Sequence, residues 1–258
     1  MGATDRGYEL AALRQGLRPL RLHWFARLRS TSDRAAAMRR RGGLFAPAVV
    51  VSSRQTAGRG RGDNRWWSDG RCLTATFVFP AEEHLASHQV ALAAGLAVRH
   101  AAAELCPGCR VGLKWPNDVL YEGRKLSGLL CERVEGADLI GVGLNVNVTV
   151  ADMPAALRRQ ATSLAAMGGR PLNMNRVLCC VARHLQAMLL CRQGSPFGAI
   201  LREYEQYDAL RGRRISVDLG DGQGPVCGMC SGLDNIGRLL VGQGRKQRAI
   251  IAGQVRLM

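Results

Sequence analysis

The sequence predicts an α+β fold, a mixed β-sheet with flanking helices followed by a small β-barrel. Three observations point to it. Short apolar runs of high β-propensity recur at residues 48–51, 72–79, 111–113, 126–131 and 139–148, bounded by polar or Gly-containing turns. Helical stretches lie among and beyond them. These are an alanine-rich segment after Asp33, an Ala/Leu-rich segment at 84–104, and residues 174–193 with Leu178, Val181, Leu185, Met188 and Leu189 at helical spacing. From about Leu210 the pattern turns to short strands with Gly-rich turns, Asp218-Leu219-Gly220-Asp221-Gly222 and Asp234-Asn235-Ile236-Gly237. A chain of 258 residues, 47% hydrophobic, supports an ample core in one large domain or a main domain with a satellite. The expected division is an arm at 1–20, a main domain at 21–208 and the barrel at 209–258.

Composition narrows the setting. The net charge of +16 has two readings: polyanionic partners, or an arginine bias spread along the whole chain. Nine cysteines and no secretory pattern predict a reducing, cytoplasmic compartment, and no run of 18 apolar residues predicts a membrane span. Two Cys-x-x-Cys pairs, Cys106/Cys109 and Cys227/Cys230, could supply four thiolates to zinc. They are far apart in sequence, however, and the second sits in an apparent strand, where positions i and i+3 face opposite ways. Reduced structural thiols are the expectation.

The opening segment to about Pro19 reads as a short helix or a loose arm. Ser30-Thr31-Ser32 before the alanine-rich run is an N-cap signature, and hydroxyls pooled at a helix start could also bind a polar ligand. After the buried strand at 48–51 comes Gln55-Thr56-Ala57-Gly58-Arg59-Gly60-Arg61-Gly62-Asp63-Asn64-Arg65-Trp66-Trp67. It matches neither common nucleotide fingerprint. A mobile backbone carrying guanidinium forks suits a loop that orders around phosphate or carboxylate. Lys occurs only at 114, 125 and 246 among 36 basic residues, and two of the three flank Trp115-Pro116-Asn117-Asp118. A compact ammonium, kept where arginine is otherwise the rule, marks that segment for charge placement. It reads as one hairpin of roughly 4–7 residues per strand, turning at Glu122-Gly123-Arg124. In the strand at 139–148, Gly141 and Gly143 share a parity, where a bound molecule could approach closely.

Three separated motifs then agree. Gln55 to Gly62, Lys114-Trp115-Pro116-Asn117-Asp118 with Lys125-Leu126-Ser127-Gly128, and Gly141-Val142-Gly143-Leu144-Asn145 give the chain a strong resemblance to the biotin protein ligase family, over roughly residues 22–256. Ser30-Thr31 supports them. The resemblance implies a class II synthetase-like catalytic sheet of the biotinyl/lipoyl ligase type and a C-terminal barrel of the Src-homology-3 type. It implies that biotin and ATP form biotinyl-5′-AMP, with Mg²⁺ on the phosphates, before biotin passes to a lysine of a biotin carboxyl carrier domain. Lys125, Arg59, Arg61 and Asp118 match catalytic positions. Ser30, Thr31, Ser32, Gln55, Gly58, Arg59, Gly60, Arg61, Lys125, Gly128, Gly141 and Gly143 match the biotin side. Arg61, Trp66, Lys114, Asn117, Asp118, Lys125 and Asn145 match the ATP side. No metal ligand is implied beyond Mg²⁺ carried by ATP, a homodimer stays open, and no specific DNA binding is expected, since no N-terminal DNA-binding domain is present. Two departures stand out: Ser32 replaces an Asn of many relatives, and Gly62-Asp63-Asn64 replaces a more basic loop.

Beyond the strand at 139–148, Asp152-Met153-Pro154-Ala155 resembles an N-cap with Pro in the first helical turn, and Tyr204 and Tyr207 read as packing residues. Two other functions remain open. A lipoate or octanoate ligase or acyltransferase would share the architecture, and a basic nucleic-acid-binding protein would share the charge.

Overall fold

The computed structural model describes residues 4–5, 8–82, 84–190, 197–242 and 246–258. Its strands are β1 (Thr4–Asp5), β2 (Tyr8–Glu9), β3 (Arg21–Phe25), β4 (Ala48–Ser52), β5 (Gly58–Arg59), β6 (Arg65–Trp66), β7 (Cys72–Pro80), β8 (Val111–Lys114), β9 (Asp118–Tyr121), β10 (Arg124–Val134), β11 (Ala137–Asn145), β12 (Arg214–Asp218), β13 (Val226–Leu233), β14 (Leu239–Val241), β15 (Arg248–Ile250) and β16 (Gln254–Leu257). Its helices are α1 (Leu10–Gly16), α2 (Thr31–Arg40), α3 (Ser87–Leu105), α4 (Leu164–Gly168), α5 (Met174–Leu189) and α6 (Phe197–Glu205).

Seven strands form the main sheet in the order β3-β4-β7-β11-β10-β9-β8. Only the β3–β4 pair is parallel, so the sheet is mixed. Both faces are covered at its centre. Val49 and Val51 of β4 pack into the layer made by α3 and α5, whereas Ala48 and Val50 pack on the opposite side with Ala35 and Ala36 of α2. That two-sided burial is why 48–51 shows no polar alternation. In α5 the stripe Leu178, Val181, Leu185, Met188 and Leu189 is buried, each side chain contributing about 1.5–3 kcal/mol. The helix starts at Met174 as expected and runs to Leu189; residues 191–193 of the expected helix lie outside the described residues.

Five C-terminal strands form an antiparallel sheet in the order β15-β14-β13-β12-β16, the architecture expected of an SH3-like unit. Its core is continuous with that of the main sheet: Ile215, Val217, Leu239 and Val255 belong to the same buried cluster as Leu113 and Trp115.

The fold decides one open alternative and corrects two local expectations. The opening segment, expected as a short helix or a loose arm, contains the short helix. β2 leads into α1, and Tyr8, Leu13, Leu17 and Leu20 are buried in the main core, their spacing hidden among arginines. The central segment is a three-strand meander, not one hairpin. Lys114 pairs with Asp118 across its own tight turn, and a second turn at Glu122-Gly123 connects β9 to β10. Both turn residues have positive φ (49° and 73°), the geometry that matches strand twist in a two-residue hairpin. Last, Asp152 to Ala155 starts no α-helix. Val150–Asp152 is a single 3₁₀ turn, and the chain then coils through Leu157 N to Pro154 O and Gln160 N to Leu157 O. It is drawn out of helical geometry because Gln160 O and Thr162 N bond the backbone of Lys125.

Candidate active site

A cavity of about 760 Å³ opens on the α2 face of the sheet, a volume suited to a small organic ligand. Glycines make the room. A Cβ at Gly143 would stand 2.3 Å from Trp66 Cε2, and one at Gly141 would stand 2.7 Å from Ser32 Oγ. The indole and the hydroxyl therefore lie in space that side chains would otherwise fill, which accounts for two glycines of one parity in an apolar strand.

One end of the cavity is a chain of hydroxyls. Ser30 caps α2, its Oγ accepting from Asp33 N at 3.3 Å. Thr31 N and Oγ1 donate to Gln55 Oε1 at 2.7 and 3.1 Å. Thr76 Oγ1 donates to Thr31 Oγ1 at 2.9 Å and lies 3.2 Å from Ser32 Oγ. Gln55, Thr31, Thr76 and Ser32 thus form one buried polar string with rotatable hydroxyls, able to present donors or acceptors to a polar ring.

Lys125 holds the middle. β10 carries a bulge between Lys125 and Ser127, and bulges re-aim a side chain while leaving the strand paired. Away from β9, Lys125 N donates to Gln160 O at 2.7 Å and Lys125 O accepts from Thr162 N at 3.0 Å. Its Nζ lies 2.6 Å from Asp118 Oδ1. The ammonium carries three rotatable N–H groups, so this close contact is a charge-assisted pairing with a carboxylate oxygen turned in from solvent. Gly128 abuts the lysine: a Cβ there would sit 2.9 Å from Lys125 Cε. Lys114 also lines the cavity, and burial lowers its pKa, opposed by the Asp118 carboxylate and aided by the Lys125 charge.

The Gly/Arg loop covers the cavity as a small β5–β6 hairpin. Gly62 takes φ +56°, and Asn64 closes the turn by donating Nδ2 to Arg61 O at 2.9 Å. Arg59 is fixed by Asp33 at 2.9 Å and Glu132 at 2.8 Å. Arg61 reaches across to the C-terminal unit, Nη1 to Gly253 O at 3.4 Å. Asn117 and Asn145 line the cavity but spend their amides on the backbone: Asn117 Nδ2 on Leu129 O at 2.5 Å, Asn145 Nδ2 on Thr162 O at 2.9 Å and Lys125 O at 3.4 Å. They shape the wall around Lys125.

A family model described as the biotin/lipoate A/B protein ligase family matches residues 24–148. The chain is 34% identical to the biotin–[acetyl-CoA-carboxylase] ligase of Mycobacterium tuberculosis over 216 residues, covering 80% of this chain and 77% of the relative. The chain belongs to the biotin protein ligase family. Among solved structures, the Aquifex aeolicus biotin protein ligase in complex with biotin and ATP aligns with a TM-score of 0.81 at 27% identity, covering 92% of this chain and 98% of that one. The Leishmania major biotin protein ligase in complex with biotinyl-5-AMP aligns with a TM-score of 0.63 at 26% identity, over 93% of this chain and 99% of that one.

Every candidate residue of this biotin protein ligase family member that was named from the sequence lines the cavity, except Gly58. A Cβ on Gly58 would meet Trp66 O at 2.5 Å, so that glycine serves the loop's own close packing. Trp66 lies over Gly143 with its Nε1 buried and lacking an acceptor among the described residues. Five contributors were given no site role from the sequence. Thr76 looked like one more polar residue in an apolar strand; its alternation with Ala75 and Phe77 was the signal available. Asp218, Gly253 and Gln254 line the cavity from the C-terminal sheet, a placement that no local pattern carries. Trp115 is buried and donates Nε1 to Gly237 O at 3.1 Å, joining the central turn to that sheet. Among the described residues, the two Cys-x-x-Cys pairs contribute to no cluster of metal-capable groups; Cys106 Sγ instead donates to Leu164 O at 3.5 Å.

Proposed function

We propose that this chain is an ATP-dependent biotin protein ligase that makes biotinyl-5′-AMP and then biotinylates a lysine on a carrier domain of acetyl-CoA carboxylase or a related carboxylase. The observation that carries the reading is Lys125, its backbone bonded to residues 160 and 162 and its ammonium facing Asp118 in a cavity that the hydroxyls and the arginine loop also line.

The chemistry asks for that arrangement. A biotin carboxylate oxygen attacks the α-phosphorus of ATP, the bond to the bridging oxygen breaks, and pyrophosphate leaves. Two anions must be brought together, so alignment and charge neutralisation supply most of the acceleration. The string of Ser32, Thr76, Thr31 and Gln55 receives the ureido ring, Ser30 caps the helix that presents it, and Gly141 gives clearance. Lys125 spans carboxylate and α-phosphate. Arg59 and Arg61 neutralise phosphate charge, and their loop shields the mixed anhydride from water. Lys114, Trp66, Asn117 and Asn145 border the nucleotide, which arrives with Mg²⁺ on its phosphates. In the second half-reaction the acceptor amine attacks the biotinyl carbonyl and AMP leaves. Asp118, beside Lys125, accepts a hydrogen bond from the incoming amine and takes a proton from it as the amide bond forms. Residues 21–208 activate biotin in this reading, and residues 209–258 close the nucleotide end, in a reducing cytoplasm that keeps the thiols free.

The test is biotin-dependent exchange of labelled pyrophosphate into ATP by purified protein with Mg²⁺ and no acceptor. Exchange with biotin, and none with lipoate or octanoate, is the expected result. Exchange with lipoate or octanoate alone would move the chain to the lipoyl branch, and silence with all three would reopen the nucleic-acid-binding reading.

A further inference from the structure

The seam between α3 and α5 carries a cluster of side chains that the cavity does not use. His100 and Glu104 stand one turn apart on α3, and Cys180 and His184 stand one turn apart on α5. Residues four apart share a helix face. The ligand atoms of Glu104, Cys180 and His184 lie within 4.8 Å of one another. His184 Nε2 is 2.9 Å from Glu104 Oε2. The His100 ring meets that of His184 edge-on with centroids 5.9 Å apart, and Glu203 of α6 lies 3.1 Å from His100 Nε2. None of these residues lines the cavity.

A cation already sits there. Arg183 Nη2 donates to both oxygens of Glu104 at 2.6 Å each and lies 3.8 Å from Cys180 Sγ. The guanidinium thus lies between carboxylate and sulfur, as a metal ion would. The Arg183 side chain is 59% exposed, so it can move into solvent at small cost.

We propose that Glu104, Cys180 and His184 form a binding site for a divalent transition metal of the zinc class, with His100 or water as the fourth ligand. A sulfur, an imidazole and a carboxylate suit tetrahedral Zn²⁺ or Co²⁺ and disfavour Mg²⁺ and Ca²⁺, which take oxygen ligands. Binding displaces Arg183 from Glu104, and the Cys180 thiol loses its proton to solvent as the sulfur–metal bond forms. The bound ion links α3 to α5 and stabilises the helical layer behind the sheet, because the unfolded chain does not bring these ligands together.

Titration of the chelator-treated full chain with Co²⁺ tests the site by a signal independent of activity. About one equivalent should bind, with thiolate-to-cobalt charge-transfer absorption and intense tetrahedral visible bands. Zn²⁺ should abolish both and raise the melting temperature. Cys180→Ser should remove the charge-transfer band, and His184→Ala should weaken binding at least about tenfold. Arg183→Ala should tighten it about two- to fivefold, the worth of an exposed ion pair. Circular dichroism checks that each variant is folded, and the partly exposed His184 carries the test if serine is not tolerated at the buried position. A missing thiolate band in the wild type, a band that survives Cys180→Ser, or unchanged affinity in folded His184→Ala would each overturn the site.

Discussion

Lys125 shows how much one residue can depend on its backbone. An ammonium on a four-carbon stem is mobile, yet here its backbone is bonded to residues 160 and 162, Gly128 stands beside its Cε, and Asp118 takes its charge. Lys125→Ala should slow adenylate formation roughly 10–150-fold, the worth of a charge-assisted bond of about 1.5–3 kcal/mol. Single-turnover formation of biotinyl-5′-AMP measures this directly, and a near-normal rate would take the lysine out of the chemistry. The position was readable because Lys is rare in this chain and because its flanking motif is specific. Its partners were not all readable. Gln160 and Thr162 hold Lys125 through their backbones, and a backbone bond leaves no mark on side-chain type.

At the scale of elements, the site is an agreement between α2, β7, β10 and β11. The N-cap of α2, the glycine parity of β11 and the helical stripe of α5 were all legible, since each is a local pattern with a physical period. Thr76 was not, because a threonine inside a buried strand satisfies β-propensity whether or not it serves a ligand. Its hydroxyl bridges Thr31 and Ser32. Thr76→Val keeps the shape and removes the bridge, so Thr31 and Ser32 lose their orientation while the strand stays packed. The Michaelis constant for biotin should rise about two- to tenfold, in keeping with a loss of about 0.5–1.5 kcal/mol per neutral hydrogen bond. The constant for ATP should stay near wild type; equal increases in both would show that the string does not belong to the biotin end. The failed helix at Asp152 teaches the converse. A good N-cap and proline signal lost to a tertiary demand, the pairing of residues 160–162 with Lys125.

For the whole molecule, the question is how the two sheets act on one cavity. Sequence patterns predicted both sheets, because strand and turn signals are local, but not that Asp218, Gly253 and Gln254 would complete the wall. Contacts between distant segments carry no period. Two of the links that join the units involve residues lining the cavity. Trp115 Nε1 bonds Gly237 O from within the core, and Trp115→Phe would keep most of the packing while stranding that carbonyl. A loss of about 1–3 kcal/mol should lower the melting temperature by roughly 2–12 °C, and an unchanged value would make the bond dispensable. The second link is the loop itself. Arg61 is half-buried and extends from the β5–β6 hairpin to Gly253 O, so it touches the cavity, the loop and the C-terminal sheet together. Arg61→Ala therefore loosens the loop at its far end and, in the proposed function, removes a guanidinium that faces phosphate. Biotinyl-5′-AMP should leave roughly 10–100-fold faster, as expected for losing a charge-assisted contact, while formation of the adenylate slows less than in Lys125→Ala. A chase of preformed labelled adenylate with unlabelled ligand measures the release rate. If Arg61→Ala holds its adenylate as long as the wild type, closure must come from the C-terminal sheet, and Gln254 and Asp218 become the residues to change next.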